Sequence, residues 1–168
     1  MTNVVRTWDA GRVKRFHTKQ TLQEQNIADH SWGVVQLLLH FWPNSRKEVM
    51  IAALDHDLPE LITGDIPGGL KRDHPEISQL FDKLDQEYLK TEFYREEIKL
   101  EEYEKIRLKF VDLMELFIFS SREIELGNKR FGLLKASVLD RLNDLVNRMD
   151  AKDREAVISF LIIYCSEK

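Results

Sequence analysis

From Ile27 to Trp42 the chain carries Ile27, Val34, Val35, Leu37, Leu38, Leu39 and Phe41, which leave almost no polar side on the second half of the helix they form. A helix that is apolar all round has to be buried, so the rest of the chain must supply elements to surround it. Those elements also read as helices. Phe110 to Leu126 repeats Phe110, Val111, Leu113, Met114, Leu116, Phe117, Ile118 and Phe119, and Gly127-Asn128 is a fitting C-terminal stop. Two more helices are expected at about 131–149 and 153–166. Ser45-Arg-Lys-Glu48 reads as a capping box that opens a helix through Val49, Ile51 and Leu54 towards His56. Pro59 has no N–H to bond back to Asp55, so that helix must kink or restart. Residues 63–69 read as a loop, and Pro75 to about Lys109, with both charge signs interspersed, as solvated helices. Seven glycines and four prolines leave little material for the tight turns of a β-sandwich. The expected fold class is all-α, a compact helical bundle of about six or seven helices in one domain over residues 1–168.

The charge balance narrows the partners. With 29 acidic and 25 basic side chains the net charge is −4, which disfavours a general binder of nucleic-acid polymers. A small anionic ligand remains open if basic groups cluster locally. The longest apolar stretches, around Val34–Trp42 and Ile158–Tyr164, are too short to span a bilayer. No basic n-region and apolar h-region open the chain. The single cysteine, Cys165, excludes an intrachain disulfide, so the expected location is the cytoplasm. The run Phe160-Leu-Ile-Ile-Tyr164 exceeds what one buried face needs, which suggests a homo-oligomer interface in addition to core.

Five histidines are present, and His30 and His56 stand on otherwise apolar helices, as Ala-Asp-His30-Ser-Trp and Leu-Asp-His56-Asp57-Leu-Pro-Glu60. Asp112 interrupts a core-forming helix, where a carboxylate is costly unless it is paired or holds a metal. If these helices pack together, His30, His56, Asp57 and Asp112 offer two imidazoles and two carboxylates. Such a mixed set suits one divalent transition metal of the Co, Mn, Zn, Fe or Ni group, with Mg as a further option. Four protein ligands leave positions for water and a substrate oxygen, the arrangement of a metal-assisted hydrolase.

The order His30…His56-Asp57…Asp112 resembles the signature of the HD-domain metal-dependent phosphohydrolases. Arg15-Phe-His, Gln25-Asn-Ile-Ala-Asp-His-Ser-Trp and Asp55-His-Asp-Leu-Pro-Glu-Leu-Ile-Thr-Gly-Asp-Ile-Pro resemble the YfbR-type 5′-deoxynucleotidases more closely. The phage dATP triphosphohydrolases, which share the short chain and the Arg-aromatic-His-Thr opening, fit at least as well. The likeness runs from about Arg12 to Phe131.

That resemblance implies roles. His30, His56, Asp57 and Asp112 become the metal ligands, and Glu60 the glutamate that orients or deprotonates the attacking water. Asp65 becomes an acidic residue placing the leaving group or its proton. Arg15 has the family's spacing for the arginine that holds phosphate, and Phe16 and Thr18 lie beside it at the substrate. Phe16 stands where the bacterial enzymes carry Trp beside the sugar, which leaves the strength of 2′-deoxy selectivity open. Asp29 precedes His30 where Glu is usual. Lys71 and Arg72 could reach a β- or γ-phosphate on this reading, although solvated surface is the better account of that pair.

The implied activity is hydrolysis of 5′-phosphates from 2′-deoxynucleotides, with a small deoxynucleotide as partner. Two versions follow, and the resemblance through the Arg15-Phe-His-Thr opening favours the first over its alternative. One is a dATP triphosphohydrolase giving deoxyadenosine and triphosphate; the other is a 5′-deoxynucleotidase acting on dNMPs. A non-catalytic HD-fold nucleotide sensor is the alternative of another class, and retention of all four ligand types together with Glu60 argues against it.

Overall fold

The computed structural model describes residues 3–166, with side chains described from Val4 to Ile162. Cys165 and the Ile163-Tyr164 end of the apolar run lie outside the described side chains. Among the described residues the chain forms nine α-helices: α1 (Asn3–Ala10), α2 (Ile27–Phe41), α3 (Lys47–Asp55), α4 (Glu60–Thr63), α5 (Gly68–Asp73), α6 (Pro75–Thr91), α7 (Glu102–Glu125), α8 (Gly132–Arg148) and α9 (Ala151–Ser166). A single turn of 3-10 helix, Lys129–Phe131, precedes α8. The all-α expectation is met. The count exceeds six or seven because α1 and the two short helices α4 and α5 carry too few periodic apolar residues to be read from sequence.

The helices belong to two compact units. The first comprises Met1–Trp32 and Ile51–Lys99, and the second Gly33–Met50 and Leu100–Lys168.

In the first unit, Ala10, Leu58 and Phe93 form a small core, with Leu61 and Leu89 packed against it. An ion pair between Arg6 and Glu92 ties α1 to the segment after α6. Residues 11–15 pair with residues 25–28 through Ala28 N–H to Gly11 O, Ile27 N–H to Val13 O and Arg15 N–H to Gln25 O, each 3.0 Å. Gly11 permits this approach, since a Cβ there would lie 3.2 Å from that of Ala28. The capping box that opens α2 is Asn26-Ile-Ala-Asp29. Asp29 N–H donates to Asn26 Oδ1 at 2.9 Å and Asn26 N–H to Asp29 Oδ2 at 3.3 Å.

The second unit is built on α7, whose Phe110, Val111, Met114 and Phe117 are buried together with Val34, Leu38, Val138, Leu142 and Val157. Phe41 meets Phe110 and Phe160 edge to face, with centroids 5.8 and 5.5 Å apart. Phe160 and the buried Leu161 therefore serve the core, while Ile162 is exposed. Arg107 forks onto the buried Asp153 at 2.7 and 2.6 Å, and Trp42 Nε1–H donates to the same carboxylate at 2.9 Å. The guanidinium lies over the Trp42 and Tyr103 rings.

Two boundaries differ from expectation for identifiable reasons. Ser45 does not cap α3: its N–H and Oγ–H both donate to Trp42 O, at 3.0 and 2.8 Å, closing the turn after α2. The helix starts two residues later, at Lys47. α7 begins at Glu102 rather than Phe110, because Glu101 and Glu104 form a reciprocal capping box that carries the charged stretch into the helix. Its end is as expected. Gly127 takes φ 104°, with Gly127 N–H to Ile124 O and Asn128 N–H to Glu123 O, the double closure of a Schellman stop.

Candidate active site

His30 lies in the first turn of α2 and is completely buried. α3 ends at Asp55, and Pro59 keeps it from continuing, so residues 56–59 form a turn before α4 begins at Glu60. This break projects His56 and Asp57 towards His30. The two imidazole Nε2 atoms stand 3.3 Å apart. Asp57 Oδ2 is 3.5 Å from His30 Nε2, and Asp57 Oδ1 is 3.5 Å from His56 Nε2.

His56 Nδ1 lies 2.8 Å from Ala53 O. A carbonyl only accepts, so Nδ1 carries a proton, and Nε2 is the ring nitrogen that faces His30 and Asp57. Two nitrogens bound to one ion of the zinc class, with bonds of roughly 2.0–2.1 Å, are separated by about this distance. The donors present in this unit therefore fit a divalent cation.

Arg15 and Glu60 complete the cluster. Arg15 Nη1–H donates to Asp57 Oδ2 at 2.8 Å, while its Nε is buried without a hydrogen-bond partner. Glu60 Oε2 is likewise buried and unpartnered. Burial, reinforced by the charges of Asp57 and Asp65, raises the Glu60 carboxyl to about 8, with Arg15 and Lys71 acting in the opposite sense. A buried guanidinium N–H and a buried carboxyl oxygen without partners are what a site awaiting an anion and a water presents.

Asp65, on the loop between α4 and α5, accepts the Phe16 N–H on Oδ2 at 2.7 Å. Phe16 has φ 57°, in the left-handed region, and the Arg15 guanidinium carbon lies 5.7 Å from its ring centroid. Thr18 is exposed in the adjoining turn, which Lys19 N–H closes onto Phe16 O at 2.8 Å. Asp112 is half-buried on α7, in the second unit, where Lys109 Nζ donates to its Oδ2 at 2.6 Å. His40 and His74 are exposed, and His17 Nδ1 lies 4.0 Å from Asp65 Oδ2.

The sequence did not point to everything here. Asp85, on α6, has its carboxyl raised by burial and by the charges of Asp82 and Asp57, with Lys71 opposing. Its segment reads as plain solvated helix, and nothing short of the tertiary packing of α6 marks it. Lys71 is half-buried with Nζ 6.0 Å from the Phe81 ring centroid, while Arg72 is exposed and pairs with Asp73. Only the second of that pair is solvated surface.

The 5′-deoxynucleotidase YfbR-like family matches residues 9–161 of the chain. The chain is 23% identical over 146 residues to the 5′-deoxynucleotidase PM0747 of Pasteurella multocida (strain Pm70), covering 74% of this chain and 75% of that one. It is 33% identical over 67 residues to a dATP triphosphohydrolase of Salmonella phage PMBT28, covering 32% of this chain and 34% of the phage protein. Among solved structures it is similar to the cyanophage S-2L HD phosphohydrolase DatZ, bound to dA and one catalytic Zn²⁺ ion. The TM-score is 0.78 at 19% identity, over 100% of this chain and 99% of that one. An HD-domain phosphohydrolase of Listeria innocua gives a TM-score of 0.63 at 20% identity, over 98% and 88% of the two chains. The two structures establish the HD-domain fold, and the family match reaches nine-tenths of the sequence. The chain belongs to the YfbR-like 5′-deoxynucleotidase family.

Proposed function

We propose that the protein hydrolyses the bond between the 5′-oxygen and the α-phosphorus of 2′-deoxynucleotides, with dATP as its substrate and deoxyadenosine and triphosphate as its products. The observation that carries the hydrolytic reading is the juxtaposition of His30, His56 and Asp57 with the partnerless Arg15 Nε and Glu60 Oε2. The preference for dATP rests on the Arg15-Phe-His-Thr opening and the similarity to the phage enzyme.

In this reading His30, His56 and Asp57 hold one divalent ion. The ion supplies Lewis acidity towards a phosphoryl oxygen and lowers the pKa of water. Arg15 binds the α-phosphate through its unpartnered Nε–H while keeping its Nη1 bond to Asp57. Glu60 orients the attacking water and takes its proton, a role suited to a carboxyl whose affinity for protons is raised by burial. Phe16 offers a ring face to the sugar or base, and Thr18 flanks it. Phosphoryl transfer asks chiefly for positioning and charge neutralisation, which this small set provides.

The second reading, a 5′-deoxynucleotidase releasing phosphate from dNMPs, is favoured by the family match and by the longer alignment to the Pasteurella enzyme. The same attack on the α-phosphorus serves both. Incubation of the purified protein with dATP, dAMP, dGTP, ATP and AMP, with Mn²⁺ or Co²⁺ and with EDTA, separates them when nucleoside, phosphate and triphosphate are all resolved. Metal-dependent release of deoxyadenosine and intact triphosphate from dATP is the expected result. Turnover confined to monophosphates of several bases would replace it with the dNMP reading. Failure to turn over any deoxynucleotide with metal bound would favour the nucleotide sensor.

A further inference from the structure

The turn that carries Arg15 and Phe16 is held by a side chain from a distant loop. Backbone pairing with residues 25–28 ends at Arg15, whose N–H donates to Gln25 O at 3.0 Å. The next residue turns into the left-handed region, φ 57°, which an L-aromatic residue rarely enters unless something fixes it there. The Phe16 N–H then donates to Asp65 Oδ2 at 2.7 Å, a short charge-assisted bond. Asp65 follows Gly64, which has φ 74° and no neighbouring atom within 4 Å of a notional Cβ, so the loop takes its sharp turn without crowding. On the other side of the turn, Arg15 bonds to Asp57 and lies over the Phe16 ring.

We propose that Asp65 is a positioning residue: by accepting the Phe16 N–H it holds the left-handed turn, and so sets where the Arg15 guanidinium and the Phe16 ring meet the nucleotide. This rests on the reading of Arg15 and Phe16 as nucleotide-binding groups. It differs from a role for Asp65 at the leaving group, because the effect passes through the backbone of another residue. Glycine at position 16 adopts the same φ without strain, so a turn carrying Phe16→Gly no longer needs the restraint.

The test combines Asp65→Ala, Asp65→Asn, Phe16→Gly and the double variant Phe16→Gly/Asp65→Ala. Amide hydrogen exchange at residue 16 reads the turn, steady-state kinetics on dATP and dAMP read its consequence, and the Co²⁺ absorption spectrum reads the metal ligands. Asp65→Ala is expected to speed exchange of the Phe16 amide by about 100-fold. It should raise KM roughly 10-fold with kcat within about 3-fold of wild type and the Co²⁺ spectrum unchanged. Asp65→Asn, which keeps an acceptor oxygen, should recover most of the KM. In the Phe16→Gly background, Asp65→Ala should change KM by less than about 2-fold, the non-additivity expected of two residues acting through one feature.

A Phe16 amide unprotected in the wild type overturns the proposal whether or not the protein is active. So does protection lost in Asp65→Ala without a change in KM. An equal loss from Asp65→Ala in both backgrounds, falling on kcat and unrecovered by Asn, would place Asp65 at the reacting atoms instead. A wild-type protein that turns over no deoxynucleotide refutes the functional reading, and the exchange result still decides whether Asp65 holds the turn.

Discussion

Asp57 is in contact with three cationic or ligating groups at once: Arg15 Nη1 at 2.8 Å and the Nε2 atoms of His30 and His56, each at 3.5 Å. Its charge is also one reason why Glu60, three residues later, gives up its proton reluctantly. The sign of the stability effect follows. The folded protein holds the Glu60 proton up to about 8, whereas the unfolded chain releases it near 4.5. Between these values the unfolded state binds fewer protons than the folded one, so stability falls as the pH rises through that window. Glu60→Gln should therefore raise the melting temperature of the metal-free protein at pH 8.5 by several degrees, on the order of 5 °C, and leave it unchanged below about pH 4.5. Thermal scans across that range check it. The same substitution in the metal-loaded enzyme should leave metal binding intact and lower kcat by roughly 10²–10⁴-fold, which a turnover assay with parallel metal analysis reads. These residues were legible because a glutamate three places after His-Asp is a side-chain pattern. The Ala53 carbonyl that fixes the His56 tautomer and the Phe16 N–H that engages Asp65 are backbone groups, and their use depends on local dihedral angles that residue identity does not disclose.

At the level of elements, a break in regular structure makes the site. α3 stops at Asp55, the chain turns through His56, Asp57 and Leu58, and α4 restarts at Glu60. Pro59 made that break readable from the sequence. The start of α3 was not, because Ser45 is drawn into the turn after α2 by two bonds to Trp42 O, a competition that the Ser-x-x-Glu spacing does not reveal. The cap of α2 stands instead on Asn26 and Asp29, four residues and one residue before His30 respectively. Asn26→Ala should lower stability by about 1 kcal/mol in urea denaturation. In the second unit the larger effect belongs to Asp153, which satisfies both the Arg107 guanidinium and the Trp42 indole N–H. Asp153→Ala leaves that guanidinium without its carboxylate, and a loss of about 3–5 kcal/mol is expected by the same measurement. No local pattern marks Asp153 as buried; its charge is tolerated inside because three hydrogen bonds from distant residues meet it.

Over the whole molecule, the family match runs through residues of both compact units, and no helix of the described residues is long and apolar enough to cross a membrane. A cation that binds only the folded chain must stabilise it by mass action, so EDTA treatment should lower the melting temperature and added Mn²⁺, Co²⁺ or Zn²⁺ should restore it. The measurement that tests the central claim most directly is metal content per chain, taken on wild type and Asp57→Ala beside their hydrolysis of dATP and dAMP. One divalent ion per wild-type chain is predicted, with metal and turnover lost together in Asp57→Ala. An Asp57→Ala protein that retains full turnover would contradict the account.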